Sequence, residues 1–218
     1  MPQTIASNPS KVHLKAIRGL EYFTGNHPEV RAQFRSGLRP TEFGNKVWAT
    51  SLRLIEDFYE NSGDLGGQRV LEIGCGWGLV GLYLAKALNC KVTCSDLDPH
   101  VLPIVGLLAK HNNVSVVTAQ AGFADLSSEF LKNFDVIVGA EVCYSQAVAE
   151  DLLAMMERAF ASGVQKVIIA DPGRPDFEEG LFRCQEFSKV VLKKLPGSPN
   201  GKTTTLLTCH KKSRSGSL

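Results

Sequence analysis

The chain has 218 residues, 44% of them hydrophobic, and a formal net charge of +2. That length fits one large domain, or a domain with extensions, holding a full core. So small a charge argues against nucleic acid or a membrane surface as partner. Met1–Ser10 is polar and lacks the apolar centre of a secretory leader, and no apolar run reaches the about 20 residues that span a bilayer. A reducing, cytoplasmic setting is expected. The six cysteines (Cys75, Cys90, Cys94, Cys143, Cys184 and Cys209) are scattered, with no CxxC pair. Most lie in apolar runs, so they read as small buried hydrophobes rather than as disulfides or metal ligands.

Residues 1–40 carry four prolines and little clear period, and are read as a helical extension, with helices expected over Val12–Phe23 and Asn26–Phe34. Gly44–Tyr59 reads as an amphipathic helix with Val47, Trp48, Leu52 and Ile55 on one stripe. After a turn at Asn61–Gln68, strands and helices alternate. Strands are expected at Arg69–Ile73, Lys91–Ser95, Val114–Thr118, Phe134–Gly139 and Lys166–Ala170. Helices are expected at Leu79–Leu88, Val101–His111, Ala147–Ser162 and Glu178–Glu186. Ser188–Lys194 and Thr203–Lys211 read as a closing antiparallel pair around a Pro/Gly/Asn loop, Pro196–Lys202, before a frayed polar tail. The pattern implies an α/β, Rossmann-like doubly wound sandwich with a mostly parallel sheet of seven strands ending in an antiparallel hairpin. Residues 41–212 are expected to form that domain.

The most informative stretch is Val70–Gly78, VLEIGCGWG. A buried strand runs into a turn with Gly74, Gly76 and Gly78 at alternate positions. Glycine admits unusual dihedrals and the close approach of a ligand. The next helix offers its free N–H groups there. Gly76–Gly81 formally matches GxGxxG, with Asp96 twenty residues beyond Gly76, which would suggest a dinucleotide. Glu72 opposes that reading, because an acid two positions before the first glycine suits a cationic amino-acid end rather than a pyrophosphate. The motif also lies well inside the chain, and the chain closes with a hairpin instead of a second mononucleotide half. Asp96, at the end of the second strand, is placed to accept both hydroxyls of a ribose. Asp98 reads more simply as a cap at Pro99.

On these residues the chain resembles the class I methyltransferases that use S-adenosylmethionine (SAM), with VLEIGCGWG similar to their first motif and SDLDP to their second. Three further segments narrow the resemblance to methyltransferase family 16, the seven-strand protein lysine methyltransferases. Glu141-Val142-Cys143-Tyr144 is similar to the family's D/E-x-x-Y/F, and Gly44–Trp48 to its G-x-x-x-W. Asp171–Pro175, DPGRP, resembles the electron transfer flavoprotein β-subunit type. The resemblance implies SAM as cofactor, held by Trp48, Glu72, Gly74, Gly76, Trp77, Gly78, Asp96 and Glu141. It implies Glu141 and Tyr144 as the catalytic pair at the acceptor, and a lysine of a protein substrate as that acceptor, with no metal. The segment after the third strand departs from the family's acid–Trp pair, leaving Phe123 and Asp125 as candidates beside the adenine.

A carboxylate and a phenol at the carboxyl end of a central strand suit in-line methyl transfer to an amine. Glu141 could instead cap the following helix, and Tyr144 could simply pack. Trp48 reads equally as core, whereas Trp77, inside the glycine turn, reads as a contact of the methionine end or a cover. Arg174 is read either as binding an acidic substrate surface or as pairing with Asp176. A small-molecule acceptor remains the alternative, and a non-catalytic SAM-binding module the second.

Overall fold

The computed structural model describes residues 13–40, 43–196 and 203–212. Its first elements are two strands, β1 (Leu14–Ile17) and β2 (Leu20–Phe23), paired antiparallel. The helix expected over Val12–Phe23 is therefore a hairpin. Leu14, Ile17, Leu20 and Phe23 recur every third residue, a spacing that a helix would also put on one face. Arg18 and Gly19 both have positive φ, 46° and 82°, which makes the tight two-residue turn that joins twisted strands. The hairpin is fastened by Asn112, which accepts from the Glu21 N–H at 2.9 Å and donates to the Glu21 carbonyl at 2.7 Å.

Helix α1 (Pro28–Arg35) follows where expected, with Pro28 in its first turn and His27 as its cap. Helix α2 (Ala49–Asn61) begins five residues later than expected, with Trp48 as its N-cap. Val47 and Trp48 therefore leave the helical stripe and belong to a connecting segment. The main domain then runs β3 (Arg69–Ile73), α3 (Leu79–Leu88), β4 (Lys91–Asp96), a 3-10 turn at Pro99–Val101, α4 (Leu102–Asn112), β5 (Val117–Gln120), α5 (Ser128–Leu131), β6 (Val136–Ala140), α6 (Gln146–Ala161), β7 (Lys166–Asp171), α7 (Pro175–Phe187), β8 (Ser188–Leu195) and β9 (Thr204–Lys211). The strand expected at Val114–Thr118 starts three residues late. Asn113 is left-handed at φ 55°, and Val114 donates back to the Ala109 carbonyl at 3.0 Å, so both residues close α4. The short α5 was not expected. The polar tail from residue 213 and most of the loop at 197–202 lie outside the described residues.

The seven strands lie in the order β5-β4-β3-β6-β7-β9-β8, parallel except for β9, which runs antiparallel to both neighbours. The chain winds outward from β3 in one direction and returns through β6 in the other. The switch point between β3 and β6 opens a crevice at the strands' carboxyl ends. Alternate strand residues feed two cores. Val70, Cys94, Val138 and Ile168 face one, shared with α3, α4 and the N-terminal hairpin. Leu71, Ile137, Val167 and Cys209 face the other, with α6 and α7. All six cysteines are free and buried. No helix among the described residues is long and apolar enough to cross a membrane.

Two helical glycines make opposite predictions. A Cβ at Gly81 would lie 2.6 Å from Glu72 Oε2, 2.8 Å from Val92 and 2.9 Å from Cys94. At Gly106 it would meet nothing within 4 Å. Replacing glycine by alanine within a helix gains about 1 kcal/mol when space allows, whereas overpacking costs roughly 1–3 kcal/mol. Gly106→Ala should raise the denaturant midpoint and Gly81→Ala should lower it. Equal shifts of one sign would show that the packing at Gly81 is not the constraint.

Candidate active site

A cavity of about 650 Å³ opens at the switch point. Its floor is the turn after β3. Gly74 and Gly76 have φ of 53° and 52°, and a Cβ at Gly74 would come within 2.7 Å of Val142. Side chains are excluded there on both counts. Gly78, at φ 71°, caps α3 against Val105 and does not line the cavity.

Two of the fingerprint's N–H groups are engaged by acids. Gly76 donates to Asp96 Oδ2 at 2.8 Å, and Gly81 donates to Glu72 Oε2 at 2.9 Å. Two carboxylates of the chain thus occupy the positions from which a helix N-terminus would otherwise grip an incoming anion. The cavity lining carries five further or shared acids (Asp96, Asp98, Asp125, Glu141 and Asp151) against two permanent cations, Lys46 and Arg174. Arg174 is neutralised in place, since its Nε and guanidinium donate to Asp171, which is fully buried. Asp171 also accepts from the Gly173 and Arg174 N–H groups, at 3.0 and 2.8 Å. The partner of Arg174 is therefore Asp171 rather than Asp176. The field inside favours a cationic ligand over a pyrophosphate.

Glu72 does not reach the cavity, contrary to the expectation that it meets the ligand directly. It is 3% exposed, and its carboxylate lies between β3 and α3, 3.5 Å from Cys94 Sγ. Burial pushes it up to about 7, opposed chiefly by the Gly81 N–H. A carboxyl whose folded value lies above its ordinary 4.5 stabilises the fold most below pH 4.5. That contribution is lost as the pH rises to about 7. Glu72→Gln, uncharged throughout, should flatten the fall in melting temperature across this window. The difference should approach roughly 3 kcal/mol at its upper end. Parallel pH curves for the two proteins would refute a buried carboxyl that titrates.

Asp96, at the end of β4, lines the cavity. Burial raises its carboxyl, opposed chiefly by the Asp98 N–H at 2.9 Å and then by the Gly76 N–H. Asp98 accepts from the His100 N–H and caps the 3-10 turn. Trp77 is 2% exposed and belongs to the core, yet it lines the cavity and donates from Nε1 to the Gly44 carbonyl at 2.8 Å. Trp48 donates likewise to the Phe43 carbonyl at 2.8 Å. The two indoles thus hold the segment before α2 across the mouth. Phe123 and Asp125 both line the cavity, and Asp125 accepts from the Gly122 N–H at 2.8 Å.

On the opposite side, Glu141 follows β6 with φ 59° while its N–H donates to the Ala170 carbonyl at 2.8 Å. A left-handed glutamate is strained, and such strain persists where its surroundings enforce it. Glu141 and Tyr144 both line the cavity. The helix cap that Glu141 might have supplied comes from Ser145 instead. Tyr144 is 46% exposed and its ring lies 5.1 Å from that of Phe43. Phe43 and Asp151 also line the site and were not anticipated. Phe43 adjoins the Gly44–Trp48 segment by one residue, whereas nothing in the pattern of α6 marks Asp151.

Residues 34–186 match the model of a family described as lysine methyltransferase. Among curated relatives, the mouse electron transfer flavoprotein beta subunit lysine methyltransferase is 26% identical over 147 residues, covering 66% of this chain and 55% of its own length. The histidine protein methyltransferase 1 homolog of Dictyostelium discoideum is 32% identical over 160 residues, covering 69% and 50%. The chain thus spans about half the length of the curated relatives it matches. The crystal structure of magnesium protoporphyrin IX methyltransferase from Synechocystis PCC 6803 with bound SAM has the same fold. Its TM-score is 0.58 at 15% identity, over 84% of this chain and 91% of that one.

Proposed function

Since the chain belongs to the lysine methyltransferase family matched by residues 34–186, we propose that it transfers methyl groups from SAM to a side-chain nitrogen of a protein, lysine in preference to histidine. One observation carries the reading. The Gly76 N–H of the glycine turn and the Gly81 N–H of the helix after it are taken by Asp96 and Glu72, which suits the crevice to a cation bearing a ribose better than to a pyrophosphate. The lining fits such a group: Asp96 for the hydroxyls, bare backbone at Gly74 and Gly76 for close approach, and Phe123 with Asp125 where an adenine would lie.

SAM supplies a methyl group made electrophilic by its sulfonium. The chain's own residues do the rest. Glu141 holds the acceptor nitrogen by its N–H and offsets the positive charge developing there, while the proton leaves to water. Tyr144 orients the same nitrogen from the rim, and Trp48 walls the site from solvent. The main contribution is alignment of the lone pair, worth several kcal/mol when the geometry is fixed beforehand.

The test is incubation with methyl-labelled SAM and cell extract, followed by gel autoradiography and hydrolysis of the labelled band. Methyl-lysine supports the reading, and methyl-histidine, which the Dictyostelium relative brings forward, would move the acceptor to imidazole. Label confined to small molecules would overturn a protein acceptor.

A further inference from the structure

The mouth of the cavity already holds an amine. Lys46 Nζ lies 3.9 Å from the centroid of the Trp48 ring. Phe43 stands beside that indole, its ring 6.1 Å from Trp48 and 5.1 Å from Tyr144, so three aromatic rings border one edge of the opening. Lys46, Trp48, Glu141 and Tyr144 all line the same cavity, and Lys46 is the lysine among its lining residues. Some other lysines are held by carboxylates, as Lys166 is by Asp64 and Lys193 by Asp57. Lys46 has no ion-pair partner among the described residues. An indole face attracts an ammonium without supplying a counter-charge.

We propose that Lys46 is a methyl acceptor of the enzyme itself, modified in cis. The inference rests on reading the cavity as a methyl-donor site. The Lys46 ammonium first gives a proton to water. The Nζ lone pair then forms a bond to the donor's methyl carbon as the carbon–sulfur bond breaks, and S-adenosylhomocysteine leaves as a neutral thioether. The product nitrogen carries the positive charge that the sulfonium lost. Methylation keeps the cation and removes N–H donors, which favours the aromatic face further. A modified Lys46 therefore stays on the Trp48 face in the lining of the cavity.

Two measurements test this. In the unloaded protein, Lys46→Gln should change the emission of Trp48, with buried Trp77 as a constant background; unchanged emission would mean that the ammonium is not seated on the indole. The purified protein is then incubated with SAM alone at several protein concentrations, with SAM binding followed by calorimetry and the digest by mass spectrometry. Methyl groups on Lys46, absent in Glu141→Ala and formed at a rate per molecule independent of concentration, are expected. SAM that binds while Lys46 stays unmodified, or modification of His100 or another lysine instead, would overturn the proposal and leave the methyl-transfer reading standing. A rate that rises with concentration would overturn its action in cis. Failure of SAM to bind would overturn the methyl-transfer reading itself.

Discussion

Glu141→Gln is expected to lower kcat by roughly 10²–10³-fold while SAM binds as before, since loss of one preorganised electrostatic contact costs about that much. Glutamine keeps the length and shape but does not bear the charge that offsets a forming ammonium. The backbone gives this prediction a second arm. Glu141 sits at φ 59° with its N–H fixed to the Ala170 carbonyl. A left-handed non-glycine residue costs about 1–2 kcal/mol. Glu141→Gly removes that strain and should raise stability by about 1 kcal/mol after glycine's extra chain entropy is counted, while turnover is lost. Opposite movement of stability and activity at one position would mark strain retained for function. Wild-type kcat in Glu141→Gln would remove this residue from the chemistry.

Asp171→Ala should be the most damaging change to stability near the site. Asp171 is fully buried and accepts from two backbone N–H groups and from the Arg174 side chain. Breaking a buried pair by removing one member costs roughly 3–5 kcal/mol. The Arg174 side chain is 28% exposed and can turn toward water, so about 3 kcal/mol is expected. Asp171→Asn, which keeps an acceptor for the Gly173 and Arg174 N–H groups, should lose about half of that. Chemical denaturation of the three proteins decides it. A loss in the alanine variant below about 1 kcal/mol would mean that the pair is replaceable by solvent.

The sheet was legible because its central strands β3, β6 and β7 are buried on both faces and read as short apolar runs. The crevice followed from strand order. The N-terminal hairpin was misread because a three-residue apolar spacing serves a helix and a two-residue hairpin alike. Arg18-Gly19 was the deciding signal, and it lies in backbone dihedrals. Trp48 kept its place in the cavity wall although the helix that was to carry it begins one residue later. Glu72 was singled out as a ligand contact but bonds the Gly81 N–H instead and does not line the cavity. An acid at that spacing reaches the helix N–H beyond the turn before it reaches a ligand. The left-handed state of Glu141 has no counterpart in residue type, because the Ala170 carbonyl that fixes it is 29 positions away in sequence.

The place of β9 bears on how this chain can be made. It is the last described strand in chain order, yet it lies inside the sheet, between β7 and β8. During synthesis β7 and β8 emerge first and must wait as two open edges, one of them carrying the exposed Val191 and Leu192. Each edge is a template for another chain until Thr204–Lys211 arrives to fill the gap. A nascent chain stalled before Thr204 would therefore be open at two strand edges to pairing with other chains.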